Sequence, residues 1–144
     1  MKPFRIVLLF LLVTILCTAQ SPPTIVIRFL NGKSGKPVRD KQVTVGLGKS
    51  GAVFRDADSK GEIVLDVPNV EPRELRVRPD DYFDCRFKRD QMGPGGLDLK
   101  YSLDEIISKG VVGDNFCGKA HVLPTPGVLT LYLRSRTLIE GFKL

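Results

Sequence analysis

A chain of 144 residues, 42% hydrophobic and 26% charged, is long enough for one domain with its own core and contains no internal repeat. A single histidine, His121, and three cysteines leave little material for acid–base or metal chemistry. The formal charge of +6 favours solubility and weak attraction to anionic surfaces.

Met1 to Arg5 carries two positive charges and no acid, and Ile6 to Leu16 is wholly apolar apart from Thr14. Cys17, Thr18 and Ala19 then supply small residues. This is the pattern of a secretory signal peptide, predicted over residues 1–19 with the cut between Ala19 and Gln20. The apolar run falls short of the roughly 18 to 20 residues that span hydrocarbon, so no stable membrane span is expected after cleavage. An uncleaved anchor and lipidation of Cys17 are weaker alternatives, the latter because Leu16 stands where a lipoprotein signal carries a small residue. Loss of Lys2 and Arg5 with the signal lowers the formal charge by two, from +6 to +4. The expected location is secreted or periplasmic, where nucleic acid is not an expected partner. In that oxidising setting the two remaining cysteines, Cys85 and Cys117, are predicted to form a disulfide. A rival metal site of Cys85, Cys117 and His121 lacks a suitable fourth ligand nearby.

Residues 20–23 form a short proline-containing leader to a domain over 24–144. Thr24 to Leu30 reads as a strand with Ile25, Ile27 and Phe29 on one face, and Val26 and Leu30 opposite suggest cover on both sides. Asn31 to Pro37 is a turn rich in glycine. Gln42 to Gly48 alternates, with Val43, Val45 and Leu47 inward. Ala52–Arg55 and Glu62–Val67 are predicted to form a hairpin across Asp56 to Gly61, with Ile63, Leu65 and Val67 inward. Glu74–Arg78 sets Leu75 and Val77 against Glu74, Arg76 and Arg78. Tyr82–Lys88 sets Phe83, Cys85 and Phe87 inward against Asp84, Arg86 and Lys88. After a Gly93 to Gly96 loop, Leu97–Tyr101 is another short strand. Ser102 and Glu105 have capping-box spacing, and Gly110 is placed to stop the one helix. Val128–Arg134 closes the domain with Leu129, Leu131 and Leu133 on one face. Short strands, frequent turn signals and one helical insertion predict a mainly β, antiparallel Ig-like or prealbumin-like sandwich.

The first strand, the Asn31-Gly-Lys-Ser-Gly-Lys-Pro-Val38 turn, the Val43-x-Val45-x-Leu47 strand and Asp58-Ser-Lys-Gly-Glu-Ile-Val-Leu-Asp-Val-Pro68 together resemble a carboxypeptidase-regulatory-like or transthyretin-like domain over about residues 24–79. The resemblance implies a prealbumin-like sandwich serving as a non-catalytic accessory, adhesion or carbohydrate-binding-like module, and names no ligand. The expected function is accordingly an accessory, structural or adhesion module, with carbohydrate or, through its basic residues, anionic envelope polymers as ligand and envelope polysaccharide or another surface protein as partner. It implies no cofactor. The later stretch, Ile106 to Leu129, is similar to small exported bacterial proteins. A competing reading is a small secreted hydrolase or metal-dependent enzyme of the transthyretin-related type. Those hydrolases use His and Arg and end in Tyr-Arg-Gly-Ser, whereas this chain has only His121 and ends in Ile139-Glu-Gly-Phe-Lys-Leu144, so no catalytic residue is assigned.

Arg76, Arg78, Arg86, Lys88 and Arg89 would align as a basic binding face if their two strands paired. Tyr82, Tyr101 and Tyr132 are candidates for a sugar-stacking platform, with half-buried strand aromatics as the plainer explanation. Asp56-x-Asp58-x-Lys60-Gly61 imitates the start of a calcium loop but places Lys60 at the third ligand position, so a turn is expected. Asp80, Asp81 and Asp84 are expected at a solvated, charge-paired edge.

Overall fold

A computed structural model describes residues 22–79, 82–87 and 99–135. The predicted signal peptide, Lys88, Arg89 and the Gly93 to Gly96 loop lie outside the described residues. Nine strands and one helix follow in order: β1 (Thr24–Asn31), β2 (Gln42–Leu47), β3 (Val53–Asp56), β4 (Glu62–Asp66), β5 (Glu74–Pro79), β6 (Tyr82–Asp84), β7 (Lys100–Ser102), α1 (Leu103–Lys109), β8 (Val111–Val112) and β9 (Val128–Ser135). They build two sheets, one in the order β4-β1-β9-β6 with β8 also paired to β9, the other β3-β2-β5-β7. The molecule is therefore mainly β, with two sheets and one short helix, as the period-two runs predict.

The apolar alternation places Ile25, Ile27, Phe29, Ile63, Leu65, Leu129, Leu131 and Leu133 of the first sheet against Val43, Val45, Leu75 and Val77 of the second. Helix α1 adds Leu103 and Ile106, both fully buried. Its N-cap is Ser102, whose hydroxyl accepts from Glu105 N at 3.3 Å, and it stops at Gly110, whose N–H bonds Glu105 O and Ile106 O. Gly110 has φ +77°, and a Cβ there would collide with the Thr125 backbone, so both conformation and space demand glycine.

Two expectations about pairing are corrected. The Ala52–Arg55 and Glu62–Val67 runs do not form a hairpin: β3 pairs with β2 while β4 pairs with β1, so residues 57–61 arch from one sheet to the other. The arch holds because Asp58 Oδ1 accepts from the N–H groups of Lys60 and Glu62, both at 2.8 Å, which keeps its carboxyl below the usual range, the Glu62 bond contributing most. Nor is the sandwich wholly antiparallel. Strand β9 runs parallel to both β1 and β8, and residues 113–127 supply the long crossover that a parallel β8–β9 pair requires.

That crossover is held over the outer face of the first sheet. Leu30, Cys85 and Tyr132 form a second apolar cluster there, packed against Val112, Cys117, Ala120 and Val122. A disulfide joins Cys85 to Cys117 with Cα atoms 5.3 Å apart, as expected of the two cysteines. Asn115 reinforces it by donating to Gly32 O and Ala120 O, each at 2.8 Å. Gly32 lets the layers approach: a Cβ there would lie 2.6 Å from Asn115 Oδ1 and 3.0 Å from Cys85 Sγ. Consequently β9 is buried on both faces from Val128 to Leu133.

Candidate functional site

The expected alignment of five basic residues fails because its premise fails. Strands β5 and β6 belong to different sheets, β5 pairing with β2 and β7 and β6 with β9. Arg76 and Arg78 do lie on the outer face of β5, where alternation places them, Arg76 half-buried and Arg78 exposed. Arg86 is corrected: it is 6% exposed, because pairing sets Asp84 beside the core-facing Leu133 of β9, so Asp84 and Arg86 two residues on turn inward while Cys85, expected on the core face, joins Tyr132 in the outer cluster. Asp84, expected at a solvated edge, is likewise buried at 8% exposure.

Inside, Arg86 and Asp84 neutralise each other. Arg86 Nε lies 2.8 Å from both Asp84 carboxylate oxygens, and its Nη2 donates to the same carboxylate and to Val77 O of β5. Nη1 donates to the Tyr101 hydroxyl of β7 at 2.7 Å, and the guanidinium lies 5.5 Å from the Tyr101 ring centroid. The group thus ties β6 to both neighbouring strands of the opposite sheet. Burial acts to lower the Arg86 pKa, but the bond and charge of Asp84 outweigh it and the net direction is up. This is an internal tie, with each guanidinium nitrogen engaged, and not a surface for ligands.

Burial also raises the Tyr101 pKa above its ordinary value of 10.0, with Arg86 opposing. The sign follows: a folded-state pKa above the unfolded one gives stability that is complete below about pH 10 and is lost as pH rises through the folded value. The protein is therefore expected to lose stability above about pH 10. Denaturant titrations at pH 9 and 11 should show a steeper alkaline loss for the parent than for Tyr101→Phe, which cannot ionise. Parallel pH dependence of the two proteins would refute this role.

The outer face of the second sheet presents a different chemistry. Cross-strand register sets Phe54 opposite Thr44 and Thr44 opposite Arg78, and in the next row Gly46 opposite Arg76 and Arg76 opposite Lys100. Small side chains in the middle leave a shallow depression of about 100 Å³ lined by Thr44, Gly46, Ala52, Arg76, Val77 and Arg78. The Arg76 guanidinium lies over Gly46, where a Cβ would come within 3.2 Å of Nη2. It is oriented by the carbonyls of Gly48 and Ser50 at 3.2 and 3.4 Å. Lys100 pairs with Glu74 at 3.1 Å. Phe54, beside Thr44, is 63% exposed. The depression thus combines two arginines on one wall with an exposed aromatic ring near the other, a combination suited to an anionic, ring-bearing ligand.

Tyr101 and Tyr132 do not make a platform, and the Tyr82 side chain lies outside the described ones. Tyr132 is 1% exposed, with a hydroxyl that has no hydrogen-bond partner among the described residues, and Tyr101 serves Arg86. The exposed aromatic residue on this sheet face is Phe54, and only the β2–β3 register reveals its place beside Thr44. His121 sits exposed in the 113–127 crossover. Among the described residues no cluster of three or more His, Cys, Asp or Glu could hold a metal ion, and no helix is long and apolar enough to cross a membrane. No protein-family model, curated protein or solved structure matches this chain. What fold and site define is a disulfide-stapled, two-sheet β protein with an arginine-lined depression on one outer sheet face.

Proposed function

We propose that this protein is a non-catalytic extracytoplasmic binding module of the transthyretin-like or carboxypeptidase-regulatory-like kind, which holds an anionic envelope polysaccharide on the outer face of its second sheet. The carrying observation is the depression bounded by Arg76 and Arg78, floored by Thr44, Gly46 and Ala52 and neighboured by the exposed Phe54. Arginine forks match carboxylate and phosphate groups, and an aromatic face stacks on the apolar side of a sugar ring. The buried Cys85–Cys117 disulfide supports an oxidising compartment, where such bonds persist. A Lys2/Arg5 n-region with an apolar run behind it supports export.

The test is affinity for an acidic polysaccharide and for its neutral counterpart, by calorimetry or affinity electrophoresis, across a salt series. Binding of the acidic polymer should exceed that of the neutral one and weaken as salt rises, because the charges are solvent-accessible. Arg78→Glu should reduce binding about tenfold, the equivalent of one lost charge-assisted contact of roughly 1.4 kcal/mol. Equal affinity for both polymers, or no effect of Arg78→Glu, would defeat the proposal.

A further inference from the structure

The two sheets end differently on their two sides. On one side α1, the Arg86 tie and the disulfide close the sandwich. On the other, β3 and β4 are edge strands among the described residues, joined by the 57–61 arch, and Val53, Phe54 and Val64 stand 46%, 63% and 67% exposed. Unpaired strand edges with exposed apolar side chains are templates for pairing.

Hydrogen-bond parity shows which backbone groups are on offer. Ala57 N donates to Lys41 O at 2.8 Å, in register with the β2–β3 pairs. Alternation along an antiparallel ladder therefore turns the backbone of Val53 and Arg55 toward β2 and that of Phe54 and Asp56 toward the free edge. The Arg55 guanidinium confirms it by donating to the outward Phe54 carbonyl at 3.1 Å. On β4 the same reasoning, from Phe29 N to Gly61 O and Val67 N to Pro23 O, turns Glu62, Val64 and Asp66 outward. There Asp58 already engages both backbone groups of Glu62.

We propose that β3 is a self-association edge, pairing antiparallel with the β3 of a second copy about a two-fold axis at Phe54. Charge and side-chain pairing together favour this strand and register: centring on Val53 opposes no like charges either, but it sets Phe54 against Ala52 and not against a second aromatic ring. Only outward residues can face each other across a ladder, so a two-fold pairing must centre on an outward residue or on the inward residue between two of them. Centring on Arg55 or Asp56 sets a like-charged pair face to face, which is destabilising. Centring on Phe54 sets Phe54 against Phe54 of the second copy, Val53 against Arg55 and Ala52 against Asp56, with no like charges opposed. The equivalent pairing of β4 about Val64 would oppose Glu62 to Asp66. The β3 pairing makes one continuous eight-stranded sheet, with the two β5 strands on a common face roughly 24 Å apart, five strand spacings. This inference does not depend on the ligand reading.

Four-residue strands bury little area, so the dimer belongs to the weak class. Analytical ultracentrifugation of the purified protein between about 10 µM and 1 mM should show monomer passing to dimer with rising concentration. Phe54→Lys, which opposes two ammonium groups at the axis, should hold it monomeric with an unchanged far-UV spectrum. Register is tested by oxidative cross-linking with peptide mapping: Phe54→Cys should give a dimer linked through position 54, since hydrogen-bonded partners lie about 5.5 Å apart at Cα, whereas Asp56→Cys should not link to itself. A protein that stays monomeric at 1 mM, a dimer untouched by Phe54→Lys, or cross-linking through position 56 would each overturn the proposal.

Discussion

Replacing both cysteines, as Cys85→Ala with Cys117→Ala, is expected to cost about 2 to 5 kcal/mol of stability. The bond closes a separation of 32 residues, for which the loop-closure model gives roughly 3 to 4 kcal/mol through restriction of the unfolded chain. Folded-state losses add to this. Cys85 is fully buried between Leu30 and Tyr132, and its truncation leaves space that the packed sheet below cannot readily fill. Apart from the disulfide, residues 113–122 are attached through bonds that include Phe116 N to Cys85 O, Gly113 N to Thr130 O, Ala120 N to Gly32 O and those of Asn115. The two contributions separate experimentally. Denaturant unfolding reads the total, and native-state hydrogen exchange reads whether residues 113–122 open below the global transition. The expected result is a lowered midpoint together with loss of protection at Gly113 and Phe116. An unchanged midpoint would show that the bond constrains nothing the fold does not already hold.

Much of the fold is legible in the sequence because alternation is local. Ile25-x-Ile27-x-Phe29, Val43-x-Val45 and Leu129-x-Leu131-x-Leu133 fall on the core faces that their period of two predicts. The Ser102 and Gly110 signals delimit α1 to within a residue. Pairing is where local reasoning stops. Six residues between Arg55 and Glu62 suit a hairpin and an inter-sheet arch equally, and the choice rests on partners far away in sequence: β2 for one strand, β1 for the other. The site divides the same way. Arg76 and Arg78 are readable as outward from β5 alone, but the hollow at Gly46 and the neighbouring Phe54 exist only once β2, β3 and β5 are in register. Arg86 was misplaced for a physical reason that composition hides. Alternation across Asp84, Cys85 and Arg86 holds, but which face is inward is set by pairing with a distant strand: Asp84 falls beside the core-facing Leu133 of β9, so the charged face turns in and Cys85 turns out to the second cluster.

That inward placement of a charged pair gives the second large expected effect. Arg86 and Asp84 have side chains only 3% and 11% exposed, so removing either partner leaves the other as an uncompensated buried charge. Asp84→Asn and Arg86→Met are each expected to destabilise the fold by about 3 to 5 kcal/mol. Asp84→Asn retains the shape and can still accept the Arg86 backbone N–H, which the native carboxylate binds at 3.0 Å, so its loss isolates the charge. Arg86→Met retains much of the volume but frees Val77 O and the Tyr101 hydroxyl as well as Asp84. The double variant, Asp84→Asn with Arg86→Met, is the deciding measurement. It buries no net charge and should cost clearly less than the sum of the two single changes, with a coupling energy of at least about 1 to 3 kcal/mol as found for residues of one network. Additive losses would mean that the two groups are stabilised by solvent or by other residues and that the tie between the sheets does not depend on their pairing. Because Cys85 lies between them in sequence, the single variants should also loosen the chain that presents the disulfide. Faster exchange at Phe116, whose N–H bonds Cys85 O at 2.8 Å, would register that link.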